Sequence, residues 1–210
     1  MKEIYNNYKK ELSNKNILYV IVFIVFLLGI IFGSLYIIIL KDDSKKLILD
    51  SVKSYFENSN NISFQSQMKI FKTTLVNNLT FFISMWLLGI SVIGLIIVLI
   101  MTFFKSFTLG FSIAGIFAKY NSKGIIGIFM YLFPSHIITS ILTLILAYYS
   151  INLSIKLFRH AFMKKQFNFG LFMGKYFFLL MIIILSSIFC SVFDAFISPH
   201  LIKIFTKLIK

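Results

Sequence analysis

The chain has 210 residues, of which 59% are hydrophobic, 18% aromatic and 13% charged, and its mean hydropathy is +0.90. Soluble domains carry about 25% charged and about 45–50% apolar residues, so this composition excludes a soluble enzyme, a disordered chain and a disulfide-stapled secreted domain, and points to an integral membrane protein. The net charge of +14 comes from 21 basic and 7 acidic residues. On a soluble chain that excess would suggest nucleic acid, but here the basic residues lie mostly between apolar runs, where they meet lipid phosphates. All but Arg159 are Lys, whereas nucleic-acid readers lean on arginine forks.

In chain order, the first apolar run is 17–40, preceded by Lys2, Lys9, Lys10 and Lys15. It is too long for a signal-peptide core and has no small-x-small cleavage site, so it reads as a retained signal anchor. The segment 41–78 is the sizeable polar connection. Leu47, Ile48, Val52, Tyr55 and Phe56 recur at helical spacing, as do Phe64, Met68, Phe71 and Leu75. These predict two amphipathic helices near the interface, the first capped by Asp42 or Asp43, the second running into the next span. A solvated linker is the alternative.

Apolar runs follow at 79–104, ended by Lys105, at 124–151, and at 171–193. The stretch 106–118, between Lys105 and Lys119, is short. As a helix it reaches about 20 Å, against a hydrocarbon core of about 30 Å. Flanking lysines can snorkel, so a short full span is expected, with a re-entrant hairpin as the alternative. The expected fold is an all-α membrane bundle of five helices, the third short, forming one domain over 1–210. Lys156, Arg159, Lys164 and Lys165 make 152–170 read as cytoplasmic, which gives an inside N-terminus and makes 41–78 extracytoplasmic. At the end, Leu201, Ile204, Phe205, Leu208 and Ile209 form one stripe opposite Lys203, Lys207 and Lys210, as in an interfacial helix. The Asn-x-Ser/Thr matches at Asn61, Asn78 and Asn152 are expected by chance in an Asn-rich chain.

Polar groups suited to chemistry are scarce. His136 stands in a span beside Pro134 and Ser135, where it reads as a partner for a carbonyl freed by the proline kink, or as a proton relay. In sequence, no acid, cysteine or second histidine is placed to pair with it. Asp194 is the sole acid after residue 57, and reads either as an intramembrane carboxylate or as an interfacial partner of a lysine. Cys190 is a lone apolar-run cysteine. The chain has no HExxH, paired carboxylates or phosphate loop, so no catalytic residue, metal site or cofactor is expected. Small-xxx-small pairs at Gly29/Gly33 and Gly170/Gly174, with Trp86, Gly89, Gly94 and Gly110, mark helix-packing or partner faces.

The stretch Met85-Trp86-Leu87-Leu88-Gly89-Ile90-Ser91-Val92-Ile93-Gly94-Leu95 opens a block that continues to Phe103-Phe104-Lys105-Ser106-Phe107-Thr108-Leu109-Gly110-Phe111. With Leu28-Gly29-Ile30-Ile31-Phe32-Gly33, Phe133-Pro134, Lys156-Leu157-Phe158-Arg159 and the ending Asp194-Ala195-Phe196-Ile197-Ser198-Pro199, it closely resembles the stage II sporulation protein M family over nearly the whole chain. The chain departs from the family's usual residues at Ile96 (often Pro) and Ser106 (often Gly). It also carries Ile138, Thr139 and Ser140 where broader relatives have an acid. The resemblance implies a five-span, non-enzymatic scaffold in endospore formation. It would sit in the mother-cell membrane at the septum and hold the peptidoglycan hydrolases called stage II sporulation proteins D and P during engulfment. Other expected contacts are membrane lipids, with no nucleic acid. A transporter or permease subunit is the alternative, and a membrane enzyme a third possibility.

Overall fold

The computed structural model describes residues 2–58, 63–132, 134–163 and 169–209, with side chains for 17–56, 63–132, 134–162 and 169–208. Lys164, Lys165, Asn61 and Phe133 of the sequence analysis lie outside the described residues, as do the side chains of the basic N-terminal segment. Every regular element among the described residues is helical. The helices are α1 (Lys2–Ile39), α2 (Asp42–Asn58), α3 (Phe64–Gly89), α4 (Gly94–Tyr120), α5 (Gly124–Leu132), α6 (Ser135–Met163), α7 (Phe169–Phe196) and α8 (Ser198–Ile209). Four apolar stretches are long enough to cross a membrane: Ile17–Ile39, Gly94–Leu132, Ser135–Phe162 and Phe169–Phe196. The protein is thus an all-helical membrane protein.

The breaks follow local chemistry. The first helical bond of α2 runs from Lys45 N to the Lys41 carbonyl, so Asp42 and Asp43 sit in its first turn, where the helix dipole favours them, and not at the cap itself. Ser63 caps α3, its hydroxyl accepting from Ser66 N at 3.3 Å. That helix runs unbroken through residue 79, but it stops at Gly89 and not at Lys105. The turn Ile90–Ile93 reverses the chain because Gly94 lacks a side chain: a Cβ there would overlap the Leu88 carbonyl oxygen. The Ser154 hydroxyl of α6 lies 3.1 Å from the Gly89 carbonyl oxygen and 2.9 Å from that of Ser91, which also accepts from Gly94 N at 3.1 Å, so α6 braces the turn.

The expected spans 79–104 and 106–118 are therefore redistributed. Residues 106–118 are not a separate short element but the second half of α4, which passes straight through Lys105. Lysine is a good helix former, and a neighbouring ring receives its ammonium (below). After α4, Asn121 takes a positive φ of 48°, tolerated by Asn, and turns the chain into α5. The expected span 124–151 is interrupted at Pro134, which lacks an N–H; α6 begins beyond it, with Ile138 N on the Pro134 carbonyl at 3.0 Å.

Side-chain pairs fix the helix directions. Ile30 and Ser34 meet Gly110, and Ile37 meets Gly115, a constant offset that makes α1 and α4 parallel. Lys105 lies over the Phe81 ring, across the Ile90–Ile93 turn, so α3 and α4 form an antiparallel hairpin. Ser150 reaches Met85 O and Ser154 reaches Gly89 O, making α3 and α6 parallel. Ser135 meets Cys190, and Ser150 meets Tyr176, making α6 and α7 antiparallel. Hence α1, α4 and α7 run one way, and α3 and α6 the other.

The main core, around Phe82, Met85, Leu146, Leu153, Tyr176 and Ile183, lies between α3, α4, α6 and α7. A second cluster of Phe56, Ile116, Ile202 and Phe205 joins α2, α4, α5 and α8 at the far end of the bundle. Helix α8 accordingly packs through Ile202 and Phe205, while Ile204 and Leu208 of the expected stripe stay exposed. Likewise Phe64 and Met68 of α3 are exposed, and its buried polar contact is Asn78. Helix α1 buries Val22, Phe26 and Ile37 along one line and exposes Phe23, Leu27, Ile31 and Phe32 elsewhere, the pattern of a helix whose remaining surface faces lipid.

Candidate functional site

Gly29, Gly33, Trp86, Gly89, Gly94 and Gly110, marked from the sequence as packing or partner faces, all pack within the chain. A Cβ on Gly29 would overlap the Ser106 hydroxyl, one on Gly33 the Phe107 carbonyl oxygen, and one on Gly110 the Ile30 carbonyl oxygen. The pair Gly29/Gly33 thus forms the α1–α4 crossing, with Ser34 donating to Gly110 O at 3.2 Å. As a docking face for partner helices it is closed, and Gly29→Leu with Gly33→Leu would disrupt the fold. Trp86 stacks on Tyr176 with ring centroids 5.2 Å apart, donates from Nε1 to Tyr176 O at 3.2 Å, and accepts at its own carbonyl from the Tyr176 hydroxyl at 2.8 Å. A Cβ on Gly89 would strike that hydroxyl. Gly94 shapes the hairpin turn. Of the second glycine pair, Gly174 has open space around it.

A different set of residues gathers between the bundle and the α2–α5–α8 layer. Asp194, near the end of α7, accepts from Ser198 Oγ at 3.5 Å and lies beside the Ser135 hydroxyl. His136, at the start of α6, stacks on Tyr131 of α5, centroids 4.3 Å apart. Tyr131 meets Tyr55 of α2 edge-on, at 6.5 Å. His136, Asp194, Tyr55 and Tyr131 line one cavity of about 310 Å³. Two residues that looked unrelated in sequence are thus brought together, because α6 and α7 are antiparallel and Ser135 faces Cys190. His136 and Asp194 share the cavity, and no hydrogen bond joins the two among the described residues. The kink at Pro134 remains the immediate neighbour of His136.

Lys105 completes the group and was missed. Its place between two apolar runs suggested a span end, yet it sits inside α4, next to Ser106, which packs on Gly29 near the middle of the Ile17–Ile39 stretch. It is an intramembrane cation. Its ammonium lies 5.1 Å from the Phe81 ring centroid and within electrostatic reach of Asp194 and His136. Such a charge is costly in lipid and needs a compensating group. A sign was present in the sequence: the Ser91–Gly94 turn signal shifts the helix start, which places Lys105 in mid-helix.

Tyr55 lies on α2, outside the apolar stretches. The residue as a whole is half exposed, but desolvation of its phenol, then the nearby Tyr131 and Asp194, push that group well above the ordinary tyrosine value. Lys119 and Asp50 tie α2 to α4 by an exposed ion pair of 3.3 Å. Among the described residues no three His, Cys, Asp or Glu side chains are grouped to hold a metal ion.

No curated protein and no solved structure matches the chain. A family model described as stage II sporulation protein M matches residues 22–199, a range that takes in the α1–α4 crossing, the hairpin turn, Lys105, His136 and Asp194. The chain belongs to the stage II sporulation protein M family.

Proposed function

We propose that this sporulation-family membrane protein is a non-enzymatic scaffold that holds peptidoglycan hydrolases, the stage II sporulation proteins D and P, at the engulfing septal membrane of the mother cell. The observation that carries this reading is the family match over 22–199. Consistent with it, α3 is 26 residues long and paired antiparallel with α4, so it serves as a fifth crossing beside the four apolar stretches. With the N-terminus inside, α2 and α8 then lie on the wall-facing side. Partner ectodomains would meet that layer. The glycine face of α1 is closed, so partner spans pack elsewhere.

Deletion in the native sporulating host, imaged with a membrane dye, tests the proposal. Arrest at a flat septum, with loss of both hydrolases from the septum, is the expected result. Normal engulfment with normal hydrolase placement rejects it.

A second reading, a transporter or permease subunit, is favoured by one observation: His136 and Asp194 line a shared cavity beside the helix break at Pro134. Substrate-dependent flux in proteoliposomes, abolished by His136→Ala, would establish it in place of the scaffold.

A further inference from the structure

We infer that the Asp194 cavity binds the amine headgroup of a lipid, with the adjoining groove between α2 and α4 taking hydrocarbon from the same molecule. Charge is the first argument. The chain carries +14, yet among the side chains lining this cavity Asp194 is the only Asp, Glu, Lys or Arg. The cation nearest in the bundle, Lys105, does not line the cavity and rests against Phe81. No ion pair within 4 Å joins Lys105 to Asp194 among the described residues. The Asp194 carboxyl group therefore faces the cavity without a lysine in contact, with the Ser198 and Ser135 hydroxyls beside it.

Aromatic walls are the second argument. Tyr55, Tyr131 and His136 surround the space, the last two stacked. A carboxylate flanked by ring faces is the chemistry that recognises an organic ammonium, by charge and by cation–π attraction. A cavity of about 310 Å³ has room for such a headgroup.

The third argument is the neighbouring space. A groove of about 350 Å³ lies on the other side of the same two tyrosines, lined by Ile48, Val52, Phe56, Phe111 and Ile116. Tyr55 and Tyr131 line both spaces. A polar, anionic cavity and an apolar groove sharing one wall match an amphiphile with a cationic head. The pair lies at the end of the bundle where the amphipathic helices α2 and α8 pack, which is where lipid headgroups reside. Lys69 and Lys72, exposed on either side of the cavity-lining Ile70, are placed for the lipid's phosphate.

The site is independent of the scaffold reading. Its test uses the full-length chain in dodecyl maltoside micelles, followed by native mass spectrometry and thermal unfolding. Three probes are added separately: phosphatidylethanolamine, phosphatidylglycerol with the same acyl chains, and dodecylammonium chloride. Phosphatidylethanolamine is expected to be retained and to raise the unfolding temperature, with phosphatidylglycerol at least tenfold weaker and dodecylammonium displacing the lipid. Asp194→Asn should weaken retention at least tenfold and Tyr55→Leu several-fold, while Lys175→Gln, exposed on α7 and away from the cavity lining, changes nothing.

Equal retention of the two lipids overturns the inference, as does Asp194→Asn binding like the native chain. Retention of dodecylammonium alone assigns the site to a free amine and also rejects the lipid. Should Asp194→Asn fail to fold, Tyr55→Leu decides: unchanged retention in that variant rejects the site.

Discussion

The α1–α4 crossing makes a quantitative test of the packing. In Gly33→Ala the new methyl group would overlap the Phe107 carbonyl oxygen, with Phe107 C and Phe111 N at 2.9 Å. Both obstacles are helix backbone, so they cannot rotate aside and the two helices must separate. Overpacking of this kind costs roughly 1–3 kcal/mol. Separation also stretches the Ser34–Gly110 hydrogen bond of 3.2 Å, and such bonds in membrane bundles contribute about 0.6 kcal/mol. Less the roughly 0.5–1 kcal/mol that Ala gains over Gly in a helix, these give about 1–3 kcal/mol, a roughly 5- to 140-fold shift in the unfolding equilibrium. Gly174→Ala is the matched control: nothing lies within 4 Å of the added carbon, and Ala in a helix gains about 0.5–1 kcal/mol over Gly. The assay is reversible unfolding in mixed micelles of rising dodecyl sulfate fraction, read by the single tryptophan, Trp86. If the two variants unfold within about 0.5 kcal/mol of each other, a difference typical of neutral surface changes, the close crossing is refuted.

Tyr176→Phe removes the hydroxyl that bonds Trp86 O and Ser150 Oγ, each at 2.8 Å; the same unfolding assay should show a loss of about 1–3 kcal/mol and a changed near-UV signal from Trp86. Lys105→Met and Asp194→Asn should each destabilise, and the double variant should lose less than their sum, by about 0.5 kcal/mol or more; strict additivity in the cycle would show that the two charges do not sense each other. Tyr55 gives a pH dependence. Its folded value is raised, so its contribution is fully present below about pH 10, the unfolded tyrosine value, and is lost as pH climbs beyond it. Unfolding temperatures measured from pH 8 to 11.5 should therefore fall less steeply in Tyr55→Phe than in the native chain. Identical slopes would refute the upward shift of that phenol.

The membrane class, the apolar stretches and the closing amphipathic helix were legible because they rest on composition and period, which belong to single segments. The helix-packing role of Gly29, Gly33 and Gly110 was legible too, since small residues have few other uses at that spacing. Their partner was not: only the parallel register of α1 and α4 reveals that Ser106, Phe107 and Gly110 fill that face. The same limit explains Lys105. A lysine between two apolar runs looks the same whether it ends a span or is sheltered within one, and its shelter comes from Phe81, 24 residues earlier on the preceding helix. His136 and Asp194 meet only through the antiparallel register of α6 and α7. Hydropathy also misplaced the turn at Ile90–Ile93, because its residues are as apolar as the helices it joins; Ser91 and Gly94 were the local signals.

Lys105 imposes an order on biogenesis. Synthesis delivers it to the membrane before α5, α6 and α7 have been made, so none of the later helices is there to shield the ammonium from lipid. Phe81, already made on the preceding helix, is the one companion at that moment. The α3–α4 hairpin is thus the natural unit of insertion, entering with its charge against an aromatic face.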